Sequence, residues 1–298
     1  MRATILVIAI AALIVLVSVF APAVPNAVFN GLDLALGWLG PFWVVVLVSA
    51  LTGLLFILAF PHVSAQSGIR KVKDRIKYNL LAIRIFQDNL GSVLKSTAGT
   101  LGWNFAYLGL NLIPMFVLAA PFMVIWFQLN ALYAYQPLRP GDERIVVAEL
   151  APGVDPAAVE LLAPQGGWTL AQGPVPLPGQ EPRLLFTVRA EQAGSYQMSL
   201  RSGGETVTKA LEVGTQPRRL ARVRTAVPLA LLAAGKDPIV FFGEPVLPGD
   251  SFVRSITLEY PKAPLGPFGG GEITIMLVFI VVSLIVGFGL KGVFGVEI

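Results

Sequence analysis

The chain has 298 residues, of which 55% are hydrophobic and 13% charged, with a mean hydropathy of +0.71. A soluble domain carries about 25% charged residues, so the composition describes an integral membrane protein with a polar portion. The lack of cysteine excludes disulfides and thiolate metal sites, a lone histidine argues against histidine catalysis, and the net charge of +4 comes from one segment rather than from a basic soluble domain, which argues against nucleic-acid binding.

Taken in order, Thr4–Phe20 is an unbroken apolar run ending at "APAVP". It can be a signal peptide or an uncleaved anchor. Its core exceeds the usual length of about 7–15 residues, which favours the anchor, assigned to residues 1–23. Asn26–Leu39 spaces Val28, Phe29, Leu32 and Leu36 around Asn30 and Asp33. It reads as a short amphipathic helix in the outer interface. Pro41–Pro61 is a clear span with Ser49 and Thr52 as its only hydroxyls, and His62 closes it at the interface. Together, residues 26–63 hold the interfacial helix and the first core span.

Residues 64–102 carry Arg70, Lys71, Lys73, Arg75, Lys77, Arg84 and Lys95 against Asp74 and Asp88. Apolar residues recur among them at helical spacing, and Gly91 allows a turn, so a basic helical hairpin is expected. By the positive-inside rule it is cytoplasmic. A basic amphipathic helix can equally be a lipid-surface anchor.

Residues 103–135 form the second core span. Pro114 and Pro121 lie seven apart with Asn111 and Gln128 near the same stripe. A proline in a membrane helix frees a carbonyl that polar groups or water must satisfy. This helix is therefore expected to face something wet, although scattered amides also serve as interhelical glue.

Residues 137–271 change character. Acids and bases balance at thirteen each, and alternating runs occur at Arg144–Leu150, Arg183–Ala190, Tyr196–Arg201 and Arg254–Tyr260. Short strands with turn-rich spacing predict an all-β sandwich on the extracytoplasmic side. "AGSYQMSL" is similar to the penultimate strand of immunoglobulin-like modules. Ala226–Pro245 is apolar but broken by proline and glycine, and is expected to pack on the sandwich or the outer leaflet. The carboxylates are scattered and no catalytic or metal-ligand spacing occurs, so no enzyme, metal or cofactor is expected. Residues 272–298 supply the third core span and a short tail. Four spans put both termini in the cytoplasm of a plasma (inner) membrane protein.

This order of parts resembles the YidC/Oxa superfamily of membrane protein insertases. "LGLNLIPMFVLAAPFMVIWFQL" (Leu108–Leu129) is similar to the stretch by which that family enters its second core span. "VSLIVGFGLKGVFGV" (Val282–Val296) is similar to the closing span of the archaeal YidC-like branch, which includes the insertase subunit of the endoplasmic reticulum membrane complex. The similarity covers Asn26–Tyr135 and Glu272–Ile298. Two departures stand out: Pro41–Pro61 lacks the groove arginine of bacterial members, and the β region lies between the second and third core spans rather than before the core.

The resemblance implies a three-helix core with a groove open to cytoplasm and lipid, through which polar client segments cross. The candidates for its lining are Ser49, Thr52, Asn104, Asn111, Gln128 and Asn130, with Pro114 and Pro121 shaping the wall. Arg70, Lys71, Lys73, Arg75 and Lys77 would contact anionic lipid, a ribosome or translocon, or the incoming chain. The implied partners are nascent or newly made membrane proteins. The competing reading is a membrane-anchored scaffold whose β domain recognises an envelope protein.

Overall fold

A computed structural model of the chain describes residues 2–163, 166–215, 219–226 and 243–296. Six α-helices are described: α1 Arg2–Phe20, α2 Ala23–Leu36, α3 Pro41–Val63, α4 Gln66–Ile85, α5 Leu90–Tyr133 and α6 Glu272–Leu290. Eight strands are described between α5 and α6. Helices α1, α3, α5 and α6 are each long and apolar enough to cross a membrane. The chain divides into two compact units.

The first unit holds 1–16, 46–124 and 278–298. Its buried cluster is Ile57, Phe60, Ile69, Leu118 and Val296, with Val7 of α1 packed on it. Proline at the first position of α3 costs that helix no hydrogen bond, because the N–H there has no intrahelical acceptor. Helix α5 runs without interruption through Pro114 and Pro121. The turn of the basic hairpin lies at residues 86–89 rather than at Gly91. Asn89 is the reason: its Oδ1 accepts the Ser92 N–H at 3.0 Å, capping the first turn of α5 and favouring a start there. The second arm of the hairpin and the second core span are thus one 44-residue helix. Close approaches of Gly99 to Asn79 and Gly68 to Leu110 show α4 running antiparallel along α5.

The second unit holds 17–45 and 125–277. Its strands are β1 Glu143–Leu150, β2 Glu160–Leu161, β3 Trp168–Leu177, β4 Arg183–Ala190, β5 Gly194–Ser202, β6 Glu205–Val213, β7 Val223–Thr225 and β8 Val253–Leu258. They form two antiparallel sheets, in the orders β3-β4-β1-β8-β7 and β2-β5-β6. The alternation expected from Tyr196–Arg201 is present: Met198 and Leu200 are buried while Gln197 and Arg201 are exposed. Strand β3 has Pro174 and Pro176 and is exposed beyond Trp168; proline is tolerated there because β3 is an edge strand. Of Ala226–Pro245, residues 227–242 lie outside the described residues.

The chain enters and leaves the β region at one place. Gln136 N–H donates to Pro261 O, and Ala263 N–H to Ala134 O, both at 2.9 Å. The β insertion is therefore closed at its base by its own connectors.

Between the sheets the contacts are polar as well as apolar. Arg224 of β7 donates to Thr208 O and Oγ1 of β6. Tyr260, buried, accepts the Glu212 N–H at 3.1 Å, and burial pushes its hydroxyl above the ordinary value of 10. An acid whose native pKa is raised stabilises the fold below its unfolded value and loses that contribution as pH climbs further. Alkaline unfolding is thus expected to steepen above about pH 10. Tyr260→Phe is expected to flatten that slope while costing about 1–3 kcal/mol at neutral pH, because the Glu212 N–H loses its acceptor. Denaturant titrations of both proteins at pH 7 to 11 read the difference, and equal slopes would remove Tyr260 as the cause.

Candidate functional site: a cavity shared by three apolar helices

Helices α3 and α6 touch through small residues. Ser49 and Gly53 on α3 face Ser283 and Gly287 on α6, each pair one turn apart. Ser283 Oγ donates to Ser49 O at 2.9 Å. A Cβ placed on Gly53 would sit 2.3 Å from Ser283 O. Small residues let two helix backbones approach this closely. Thr52 Oγ1 returns its proton to Val48 O at 2.7 Å, so it leaves no hydroxyl unsatisfied beside that contact.

Beside this seam lies a cavity of about 450 Å³. Helix α3 contributes Gly53, Phe56, Ile57 and Phe60; α5 contributes Tyr107, Asn111, Met115, Leu118, Ala119 and Phe122; α6 contributes Ile280, Ser283, Leu284, Gly287 and Phe288. Phe122 and Phe279 stack tilted at 4.3 Å near it. Among the described residues no charged one lines it, and Tyr107, Asn111 and Ser283 are the polar side chains in its wall. Asn111 Nδ2 donates to Tyr107 O at 2.8 Å, whereas its Oδ1 is buried without a partner. The cavity is therefore apolar with one unused acceptor in its wall.

The sequence-derived lining residues divide. Asn111 lines the cavity. Ser49 and Thr52 stand behind it, at the α3–α6 seam. Asn104 is exposed and donates to Thr100 O. Pro114 is buried and Pro121 half-buried, and neither lines the cavity.

Gln128 and Asn130 belong to the second unit, where α2 turns its polar stripe to other partners. Gln128 Nε2 donates to Asn26 Oδ1 at 2.9 Å, Arg219 Nε to Asn30 Oδ1 at 3.1 Å, and Tyr133 Oη to Asp33 Oδ1 at 2.5 Å. Asn130 is buried with both amide atoms unbonded. Nearby, Arg222 bonds Tyr135 Oη, Glu272 and Glu259 and lies 4.6 Å over the Tyr135 ring. The polar stripe of α2 was legible at i, i+4 and i+7, but its partners were not. Gly53, Gly287 and Ser283 were missed altogether; the signal available was small residues four apart on two spans.

On α4, Arg70, Lys71, Arg75 and Lys77 are exposed and Lys73 half-buried, while Ile69 and Val72 are buried on the other face. The basic residues thus form one outward face. Among the described residues no group of His, Cys, Asp and Glu could hold a metal ion. No family model, curated protein or solved structure matches the chain.

Proposed function

We propose that the chain is a membrane protein insertase or chaperone of the YidC/Oxa type. The observation that carries the reading is the cavity that α3, α5 and α6 share, beside a basic helical hairpin in the same unit. In this reading the four apolar helices cross a plasma (inner) membrane, the basic hairpin lies on the cytoplasmic side, and the β region, an immunoglobulin-like sandwich, lies outside. An anionic headgroup or an incoming chain meets the basic face of α4, where each Lys or Arg near an anionic surface is worth about 1 kcal/mol.

The expected groove was hydrated; the cavity as built has three polar side chains. The apolar helix of a client fits such a lining, and the Asn111 acceptor offers one hydrogen bond to a donor it carries. A polar segment moving with that helix would otherwise face about 2.5–3.5 kcal/mol per charge at mid-membrane.

The absence of native cysteine makes the test direct. A full chain with Asn111→Cys is expected to cross-link an inserting client through the client's apolar segment, and Phe116→Cys, on an exposed face of α5, is not. Adding Ala119→Trp, which fills the cavity, is expected to lower the Asn111→Cys product about tenfold. Equal cross-linking from both cysteines would end the reading. The alternative, a scaffold acting through its β region, would instead be supported if client insertion survived every change to the cavity.

A further inference from the structure

The outer face of the five-stranded sheet is apolar in the middle and charged at both ends. On β1 the even-numbered Val146, Ala148 and Leu150 are buried; on β4 so are Leu184, Phe186, Val188 and Ala190. Successive side chains of a strand take opposite faces, so the odd-numbered residues of both strands occupy the outer one. Ile145 of β1 is 57% exposed there, and on the flanking β3 Val175 is 46% and Leu177 43% exposed. Register places Val175 beside Leu185 and Leu185 beside Val147. These residues form one row across three strands, with Ile145 next to it on β1. Single exposed aliphatic residues need no explanation, whereas a contiguous patch rimmed by polar groups marks a contact surface.

The rim charges are ordered. Register puts Glu143 beside Arg189 and Glu149 beside Arg183. Strand β1 thus carries an acid at each end of the apolar row, and β4 a base at each end, at the same heights. Glu149 lies 3.8 Å from Arg183. Arg189 turns instead to Glu191, at 3.7 Å, and Glu143 has no ion-pair partner among the described residues. Cross-strand pairing within one chain accounts for such charges, but not for the exposed aliphatic row between them.

A half-turn about an axis parallel to the strands, midway between β1 and β4, exchanges the two strands and keeps every height. A second copy placed by that axis sets its β4 against the first copy's β1. Glu143 then meets Arg189 of the second copy, Glu149 its Arg183, Val147 its Leu185 and Ile145 its Thr187. Opposite charges coincide at both ends and the apolar row packs on itself in the middle. That self-complementarity is what an isologous two-fold interface requires, and nearly aligned strands are one of the two ways in which sheets stack.

We propose that two copies of the chain associate through this face, β1 of each against β4 of the other. Lateral pairing at the β3 edge is disfavoured, because prolines and register shifts blunt it. The inference stands independently of what the apolar helices do.

The probe is the full chain in detergent, followed by sedimentation equilibrium. A monomer–dimer equilibrium with Kd below about 100 μM is expected. Glu143→Lys with Glu149→Lys makes the rim wholly basic, and Arg183→Glu with Arg189→Glu makes it wholly acidic. Each double variant alone is expected to dimerise about tenfold more weakly or worse, because like charges meet across the axis. Mixed in equal amounts, the two are expected to recover the dimer as a heterodimer. Both double variants also break the Glu149–Arg183 pair within the chain, so cysteines supply a second reading that leaves the rim intact. The chain has no cysteine of its own. Differently tagged Ile145→Cys and Thr187→Cys chains are expected to be joined by a bismaleimide spanning one sheet spacing, about 10 Å. The same reaction between Ile145→Cys and Thr206→Cys, which is exposed on β6 of the other sheet, is expected to be about tenfold slower. Where the mixed charge variants fail to recover the dimer, the cysteine pair decides. A parent chain that stays monomeric at about 100 μM, dimers that persist in both double variants, or cross-linking no faster than from Thr206→Cys would each overturn the proposal.

Discussion

Replacing Gly53 by alanine is expected to open the α3–α6 seam and, in the insertase reading proposed above, to abolish client cross-linking at the cavity. The new methyl would stand 2.3 Å from the Ser283 carbonyl oxygen and 2.9 Å from its Cα. Those are backbone atoms, so no rotamer change relieves the clash and the helices must separate. Separation breaks the Ser283–Ser49 hydrogen bond and forfeits the dispersion contacts between the two helices. Overpacking of this kind costs about 1–3 kcal/mol. Helix α6 carries its own control: a Cβ at Gly289 would meet nothing within 4 Å, so Gly289→Ala is expected to be silent. Thermal melts in detergent and the Asn111→Cys cross-link measure both. Were Gly53→Ala to match Gly289→Ala, the seam would not be what shapes the cavity.

Removing Glu244 is expected to be the most damaging single change in the β region. Lys209 is 1% exposed, and its Nζ donates to Glu244 Oε2 and to Ala221 O, each at 2.5 Å. Glu244 also accepts the Ala210 N–H. Burial pulls the Lys209 ammonium below its ordinary value, and Glu244 opposes that shift. Breaking a buried ion pair by removing one partner costs about 3–5 kcal/mol, because the other charge stays buried. Glu244→Ala should therefore lose that much in denaturant unfolding of the full chain. Lys209→Met should lose less, since its side chain can fill the space the lysine stem leaves and Glu244 keeps the Ala210 N–H.

The pH dependence follows from the sign of the shift. Between the lowered native value and 10.5 the unfolded chain binds the extra proton, so stability rises with pH across that window. The deficit of Glu244→Ala is thus expected to shrink as the solution approaches that upper bound, because the orphaned ammonium can then shed its proton. A deficit that stays constant with pH would mean that the charge on Lys209 is not the cause.

Some of this was written plainly in the chain. Long runs of apolar residues fix four helices, since length and hydropathy need no partner to be read. Strands β1, β4, β5 and β8 announced themselves by alternation, because each buries one face. Strands β3 and β6 did not. Strand β3 has its side chains exposed beyond Trp168, and β6 carries Lys209 on its buried side, where a lysine breaks the apolar pattern.

The hairpin turn moved from Gly91 to Asn89 because a side-chain cap outweighed a permissive backbone. The amides of α5 show the limit most clearly. On the sequence Asn111, Gln128 and Asn130 belong to one helix and one role. In three dimensions Asn111 enters the cavity, while Gln128 reaches Asn26 and Asn130 is buried in the other unit. Periodicity determines which side of a helix a residue occupies; only the packing of other helices and the β region against that side determines what it meets. The amino-acid sequence by itself determined the apolar helices, the basic face and the β insertion. The tertiary structure decided the cavity, the seam at Gly53 and the buried Lys209–Glu244 pair, because each depends on contacts between residues far apart in the chain.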